Sequence, residues 1–254
     1  MLNKSIKIMS AIVAAALLTL IIIVLSVSIP LDNGFFLKPI NHFDTNSKIA
    51  ALTFDDGPSP QWTPLLLDLL KKYSVKATFF IVGEKIVMNK ELAMRIQREG
   101  HSIGQHTYHH NRMILKSQRF IRDDLKKMDE LFHSVGLGET VYFRPPYGSK
   151  LLALPYELKR SKKIMITWNV EPKAQYDRDS INAEEISSYI IEKTKPGSII
   201  LLHDGWRGDP KPFLHTVEKT IIGLKKKGYK FVTVEAGLRS NGAFSKNTIN
   251  TSGL

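Results

Sequence analysis

The chain has 254 residues, 36 Lys+Arg against 24 Asp+Glu, and a formal net charge of +12. With 43% hydrophobic and 24% charged residues it has an ordinary globular composition, which excludes a collagen-like or wholly disordered chain. Cysteine is absent, so a disulfide scaffold, a thiol nucleophile and a thiolate metal site are excluded, and any metal must be held by His and carboxylates.

From Ile8 to Ile29 no residue is charged, and Ala, Leu, Ile and Val dominate. As a helix this run is about 33 Å long, enough to cross a hydrocarbon core of about 30 Å. Lys4 and Lys7 precede it, so the positive-inside rule predicts a cytoplasmic segment 1–7 and a single-pass transmembrane signal-anchor 8–29. Everything after it is then extracytoplasmic. Ser26-Val27-Ser28 offers a small-x-small cleavage pattern, so secretion after signal cleavage is the alternative, although cleaved apolar regions run to only about 7 to 15 residues. Setting Lys4 and Lys7 aside leaves +10 on the outer part, a charge drawn to anionic lipid heads or wall polymers. Its basic residues are scattered, with short clusters such as Lys225, Lys226 and Lys227 that read as solvated helix faces, so no nucleic-acid partner is expected.

Residues 30–47 contain Pro30, Gly34 and Pro39 without periodicity and are predicted to be a linker. Apolar runs at Ile49–Phe54, Ala77–Val82, Ser102–Gly104, Val141–Phe143, Ile164–Val170, Ser198–Leu202 and Phe231–Val234 then predict buried strands. Helical stretches separate them. Trp62 to Tyr73 sets Leu65, Leu66, Leu69 and Leu70 at helical spacing, and Gly100 and Gly228 are placed as residues just past helix ends. About seven strand-then-helix units over residues 48–238 predict an α/β domain with a parallel barrel or doubly wound sheet. Residues 239–254, rich in Asn, Ser, Thr and Gly, read as a flexible tail.

In such folds the chemistry sits at the carboxyl ends of the strands. The first strand ends in Asp55-Asp56-Gly57-Pro58, two adjacent carboxylates on a turn. The third leads into His106-Thr107-Tyr108-His109-His110. His106 and His110 are four apart and share one face of a helical turn; with Asp56 they form a two-His, one-carboxylate set with open coordination positions. His109 is a rival ligand that spacing does not exclude. The fourth strand ends in Arg144-Pro145-Pro146-Tyr147-Gly148, a stiff loop suited to presenting backbone N–H groups to an oxyanion. The sixth ends in His203-Asp204-Gly205, and a His at the mouth of the core is a candidate acid or base.

TFDDGP, HTYHH, RPPYG and LLHDG stand in the order of the motifs of the polysaccharide deacetylase family, carbohydrate esterase family 4 with its NodB homology domain. The chain resembles that family from about Lys48 to Gly237. The resemblance implies a distorted (β/α) barrel of about seven parallel strands, preceded here by one transmembrane helix. It also implies metal-dependent removal of N-acetyl groups from a GlcNAc-containing glycan such as peptidoglycan or a chitin-like oligomer. By motif, Asp56, His106 and His110 would hold a divalent metal, zinc first and cobalt or nickel as alternatives. Asp55 would be the general base, oriented by Arg144, and His203 the general acid. Tyr147 would offer its N–H to the oxyanion, beside Pro146, and Leu201 would line the acetyl pocket. The chain departs from the family between Trp168 and Tyr176, where the usual Asp-Trp pair is missing. There Glu171 is expected to support His203, with Trp168 and Tyr176 as substrate-binding residues. Two other readings follow from that departure: an amide hydrolase acting on a different N-acyl substrate, and a catalytically degenerate wall-binding module.

Overall fold

The computed structural model describes residues 2–28, 36–176, 182–205 and 208–240. The first part of the expected linker, residues 30–35, and the expected tail from residue 241 lie outside the described residues. Helix α1 (Leu2–Ser28) contains a 20-residue apolar span, Lys4–Ile23, none of it buried, and is long and apolar enough to cross a membrane.

Seven parallel strands form one sheet: β1 (Ile49–Asp55), β2 (Thr78–Ile81), β3 (Ser102–Gln105), β4 (Tyr142–Phe143), β5 (Ile164–Met165), β6 (Ser198–His203) and β7 (Lys230–Phe231). Their order is β5, β4, β3, β2, β1, β6, with β7 beside the start of β1. The run Ile164–Val170 is a ladder strand only at its start, because beyond Met165 it changes partners: Ile166 bridges to Ile40 and Val170 to Ile200. Together with the His42 to Ser198 bridge, these contacts span the gap between β5 and β6 and curl the sheet into a distorted barrel. The stretch expected to be a linker therefore joins the barrel from Ile40 onward. Ile40 N donates to Met165 O (2.8 Å), Thr167 N donates to Ile40 O (2.8 Å), and Phe43 is 1% exposed inside the barrel.

Helices pack outside the sheet: α2 (Thr63–Lys72), α3 (Gly83–Met88), α4 (Lys90–Arg98), α5 (Gln118–Ser134), α6 (Ala153–Arg160), α7 (Ala183–Lys193) and α8 (Lys211–Lys226). The buried stripe of α2 is Thr63, Leu66, Leu67 and Leu70, one position round from the expected one, so Leu65 is 45% exposed. Full burial of each such Leu stabilises by roughly 2 kcal/mol. A last helix, α9 (Val234–Ser240), begins inside the expected strand Phe231–Val234. It starts there because Thr233 Oγ1 accepts from Ala236 N (3.1 Å), and Val234 N donates to Thr78 Oγ1 (2.9 Å).

Strand parity places the polar residues. Side chains alternate faces along a strand, so Ala50, Leu52 and Phe54 of β1 pack with Phe79, Ile81, Ile200 and Leu202 under the helices. The opposite set, Ala51, Phe80, Ile199 and Leu201, fills the interior with Ile166 and Trp168. Thr53, Asp55 and His203 share the interior parity, and the register sets Asp55 beside His203 on one side and Phe80 on the other. Both polar side chains thus reach the carboxyl rim of the barrel.

Helix α5 fastens the loop after β3 to this rim. It is capped by Ser117, whose hydroxyl accepts from Phe120 N, and it buries Asp124, whose carboxylate accepts from Tyr108 N (3.1 and 3.3 Å). Burial pushes the Asp124 carboxyl up from an ordinary 3.8 to about 6, against the lowering effect of the Tyr108 N–H. Between those values the folded protein holds a proton that the unfolded chain has lost, so stability falls as pH rises through that window. Asp124→Asn keeps an acceptor for Tyr108 N without that loss. The melting temperature of the variant minus that of the wild type is expected to increase from about pH 4 to pH 6 and then level off.

Candidate active site

Asp56, His106 and His110 converge at the ends of β1 and β3, with one ligand atom from each lying within 4.8 Å of the others. His110 Nε2 and His106 Nε2 approach Asp56 Oδ1 to 3.0 and 3.4 Å. That oxygen is buried and accepts no hydrogen bond of good geometry. His106 Nδ1 lies 2.8 Å from Arg144 O; an Nδ1–H donating there leaves the Nε2 lone pair facing Asp56. Two imidazole nitrogens and an unsatisfied carboxylate oxygen in this arrangement fit a divalent cation. Burial raises the Asp56 carboxyl, but the two imidazoles more than reverse this and hold it well below the usual range.

The four-residue spacing works through a loop, not a helix, since residues 106–110 are non-helical and Thr107 (φ 64°) and His110 (φ 56°) are left-handed. This backbone separates the rival ligands. His109 turns outward, its Nδ1 2.9 Å from Glu84 Oε2, while His110 turns in.

Asp55 stands beside the cluster, Oδ2 3.7 Å from His106 Nε2. Its Oδ1 accepts from Arg144 Nη1 (2.6 Å). Arg144 is 0% exposed; Nη1 also donates to Thr53 Oγ1 (2.8 Å), and Nη2 donates to Thr167 O (3.1 Å). Its guanidinium lies 4.0 Å from the Phe80 ring centroid and 5.5 Å from that of Trp168. Burial pulls the Arg144 pKa down and the Asp55 carboxylate opposes the shift.

His203 is buried across the β1–β6 pair from Asp55. Its Nδ1 lies 3.1 Å from Gln175 Oε1, and the amide is oriented by Gln175 Nε2, which donates to Leu201 O at 3.5 Å. The expected support from Glu171 is replaced by this contact. The Glu171 carboxylate accepts from Trp168 Nε1 (3.1 Å), Lys173 Nζ (2.5 Å) and Tyr176 OH (2.7 Å), so it braces the wall of the site. Gln175 carried no sequence signal beyond lying in the segment that departs from the family pattern. Burial lowers the His203 pKa, and Asp55 and Asp56 offset part of that shift. Tyr176 is exposed, with its ring 5.5 Å from that of His203, and Leu201 is buried on the interior face.

Opposite them, Tyr147 is left-handed (φ 60°) and 59% exposed, with its ring centroid 4.9 Å from that of His110 and the two rings tilted by 54°. Pro146 is buried beneath it, and no described residue accepts from the Tyr147 N–H. The loops after β1 and β6 are pressed together. Lys85 Nζ donates to Asp56 O (2.6 Å) and Gly205 O (3.1 Å), and Thr63 Oγ1 donates to Asp204 Oδ2 (2.5 Å). A Cβ on Gly57 would overlap the Asp204 carboxyl and one on Gly205 would overlap the Asp56 carbonyl, so only glycine fits at either position. Burial pushes the Asp204 carboxyl up to about 7.

The site therefore brings together two imidazoles and a carboxylate that fit a divalent cation, a second carboxylate hydrogen-bonded to a buried arginine, a further imidazole, and a backbone N–H with no acceptor among the described residues. Residues 42–178 match the model of the polysaccharide deacetylase family. A peptidoglycan-N-acetylglucosamine deacetylase of Bacillus cereus is 36% identical over 196 residues, covering 76% of this chain and 90% of that protein. The peptidoglycan-N-acetylmuramic acid deacetylase PdaA of Bacillus subtilis is 31% identical over 196 residues, covering 76% and 72%. Among solved structures, the Bc1960 peptidoglycan N-acetylglucosamine deacetylase superposes with a TM-score of 0.73 at 32% identity, covering 78% of this chain and 91% of that one. The wild-type Bacillus anthracis BA3943, described as a family 4 pseudoenzyme, superposes with a TM-score of 0.71 at 27% identity, covering 79% and 68%. The matched motifs and the barrel together place the chain in the polysaccharide deacetylase family, the NodB-type carbohydrate esterases of family 4, as an enzyme acting on the carbon–nitrogen bond of an amide.

Proposed function

We propose that the protein removes N-acetyl groups from a GlcNAc-containing cell-wall glycan outside the cytoplasmic membrane, using a divalent ion, zinc first, held by Asp56, His106 and His110. The observation that carries this reading is the Asp56, His106 and His110 cluster with the Arg144-held Asp55 beside it. A cation in that position supplies Lewis-acid polarisation of the acetyl carbonyl and acidifies water next to it. Asp55, with Oδ1 tied to Arg144, has Oδ2 left to take the proton of the attacking water. The Tyr147 N–H faces the negative charge that grows on the carbonyl oxygen. His203, with Nδ1 held by Gln175, presents Nε2 to protonate the departing amine. Leu201 offers an apolar contact for the acetyl methyl, and Tyr176 with Trp168 forms the wall along which the sugar lies.

The apolar span of α1 and the lysines ahead of it support anchoring with the barrel on the outer side, where wall glycan is found. The similarity to proteins named as peptidoglycan deacetylases supports the same substrate class. A wall-binding module without catalysis is disfavoured, because binding alone has no use for a base, an acid and a cation cluster on one rim.

The full chain in detergent, supplied with Zn²⁺ or Co²⁺, is expected to release acetate from chito-oligosaccharides or wall fragments, to lose this activity on chelation and to regain it with metal. Asp55→Asn is expected to lower kcat by about 100-fold or more while metal binding is retained. No acetate from any such glycan with metal bound would overturn the proposal. A second test addresses the imidazole: a carboxylate at position 175 favours imidazolium, so Gln175→Glu is expected to move the basic limb of the kcat profile to higher pH. An unmoved limb would remove His203 as the proton donor.

A further inference from the structure

Arg112 belongs to none of the roles described so far. It is exposed two residues after the metal-cluster residue His110, on the loop that leaves the barrel rim. Its guanidinium carbon lies 4.2 Å from the Tyr147 ring centroid, and Nη1 donates to Ser149 Oγ (2.8 Å). The Tyr147 ring in turn packs against His110, 4.9 Å between centroids, so the guanidinium carbon lies within about 9 Å of the His110 ring centroid. Stacking and one hydrogen bond fix the plane of a side chain that is otherwise rich in rotamers. No carboxylate of a described residue lies within ion-pair distance of it, whereas Arg144, the other site arginine, is matched by Asp55. The remaining N–H groups of Arg112 have no acceptor among the described residues. A guanidinium held in place beside the site and left without a counter-charge among the described residues is a receptor for an anion, and its fork geometry favours a carboxylate.

Resting on the deacetylase reading above, we propose that Arg112 is a specificity determinant that binds a carboxylate carried by the glycan next to the sugar being deacetylated. Two sources share that chemistry: the lactyl ether carboxylate of a muramic-type sugar, and a carboxylate of the peptide attached to it. Contact with either favours acidic wall glycan over neutral oligosaccharide. The cation–π contact also steadies Tyr147, so loss of Arg112 lowers turnover on every substrate by a common factor, and the ratio between substrates isolates carboxylate recognition.

The test measures kcat/KM of the wild type, Arg112→Gln and Arg112→Lys, as full chains in detergent with Zn²⁺, on three substrates. These are neutral chitotetraose, peptide-free wall glycan with free lactyl carboxylates, and the same glycan with its peptides attached. Arg112→Gln is expected to lower the ratio of acidic to neutral substrate about tenfold, through KM, and Arg112→Lys to restore part of it. A drop confined to peptide-free glycan assigns the lactyl carboxylate; a drop confined to peptide-bearing glycan assigns the peptide. Unchanged ratios on both overturn the proposal. Calorimetric Kd values for the same glycans decide the matter without turnover. If the wild type releases acetate from none of the three, the deacetylase reading has failed. The inference then stands on weaker acidic-glycan binding by Arg112→Gln and falls if the affinities are equal.

Discussion

A guanidinium with no exposed surface sits in the interior of the barrel, and taking such a charge out of water costs several kcal/mol unless close partners surround it. Arg144 has them on every side: the Asp55 carboxylate, the Thr53 hydroxyl, the Thr167 carbonyl, and the faces of Phe80 and Trp168. Those partners come from β1, from β2 and from the segment after β5, so one side chain ties three parts of the barrel wall together. Its own carbonyl caps His106 Nδ1. Asp55 and His106 are therefore positioned by the same residue, one through its side chain and the other through its backbone. Removing the guanidinium would leave Asp55 buried and uncompensated, which costs more than the lost hydrogen bonds alone.

Around this fixed point the backbone is bent into conformations that ordinary residues avoid. Asp56, Thr107, His110 and Tyr147 all have positive φ, and each costs on the order of 1 kcal/mol or more relative to a relaxed residue. The surroundings offset that strain. Lys85 grips the Asp56 carbonyl, Asp124 grips the Tyr108 amide between the two metal-cluster histidines, and the glycines at 57 and 205 let two loops touch. Strain is concentrated where side chains must converge from different strands, while the strands beneath are regular.

Much of this could be read in the sequence because it follows from periodicity and from local residue chemistry. Parity on β1 and β6 sends Asp55 and His203 to the interior, and the absence of cysteine narrows any metal site to His and carboxylates. What escaped reading depends on contacts between distant segments. Nothing near Gln175 marks it as the partner of His203; that follows from how the segment after β5 turns past β6. Glu171 looked suited to His203 by charge, but the indole of Trp168, the ammonium of Lys173 and the phenol of Tyr176 are nearer and occupy its carboxylate. Spacing alone left His109 and His110 level; the family motif selected His110, and the left-handed backbone at Thr107 and His110 is what turns it toward Asp56.

Closure of the barrel has a consequence for the order in which it is assembled. Residues 40–43 act as a latch: Ile40 is stitched between Met165 and Thr167, and Phe43 N donates to Gly197 O (2.8 Å). This latch is made ahead of every strand of the barrel, yet its first partners lie about 125 residues downstream and its last more than 150, so it waits unpaired until most of the domain exists. Contacts of such long sequence separation carry the largest loop-closure entropy and form late. Thr167, whose carbonyl holds Arg144, is one of the residues the latch secures. The setting of Arg144 is thus completed only when the start of the domain meets the segment after β5, and a nascent or shortened chain lacking either has the right residues without their arrangement.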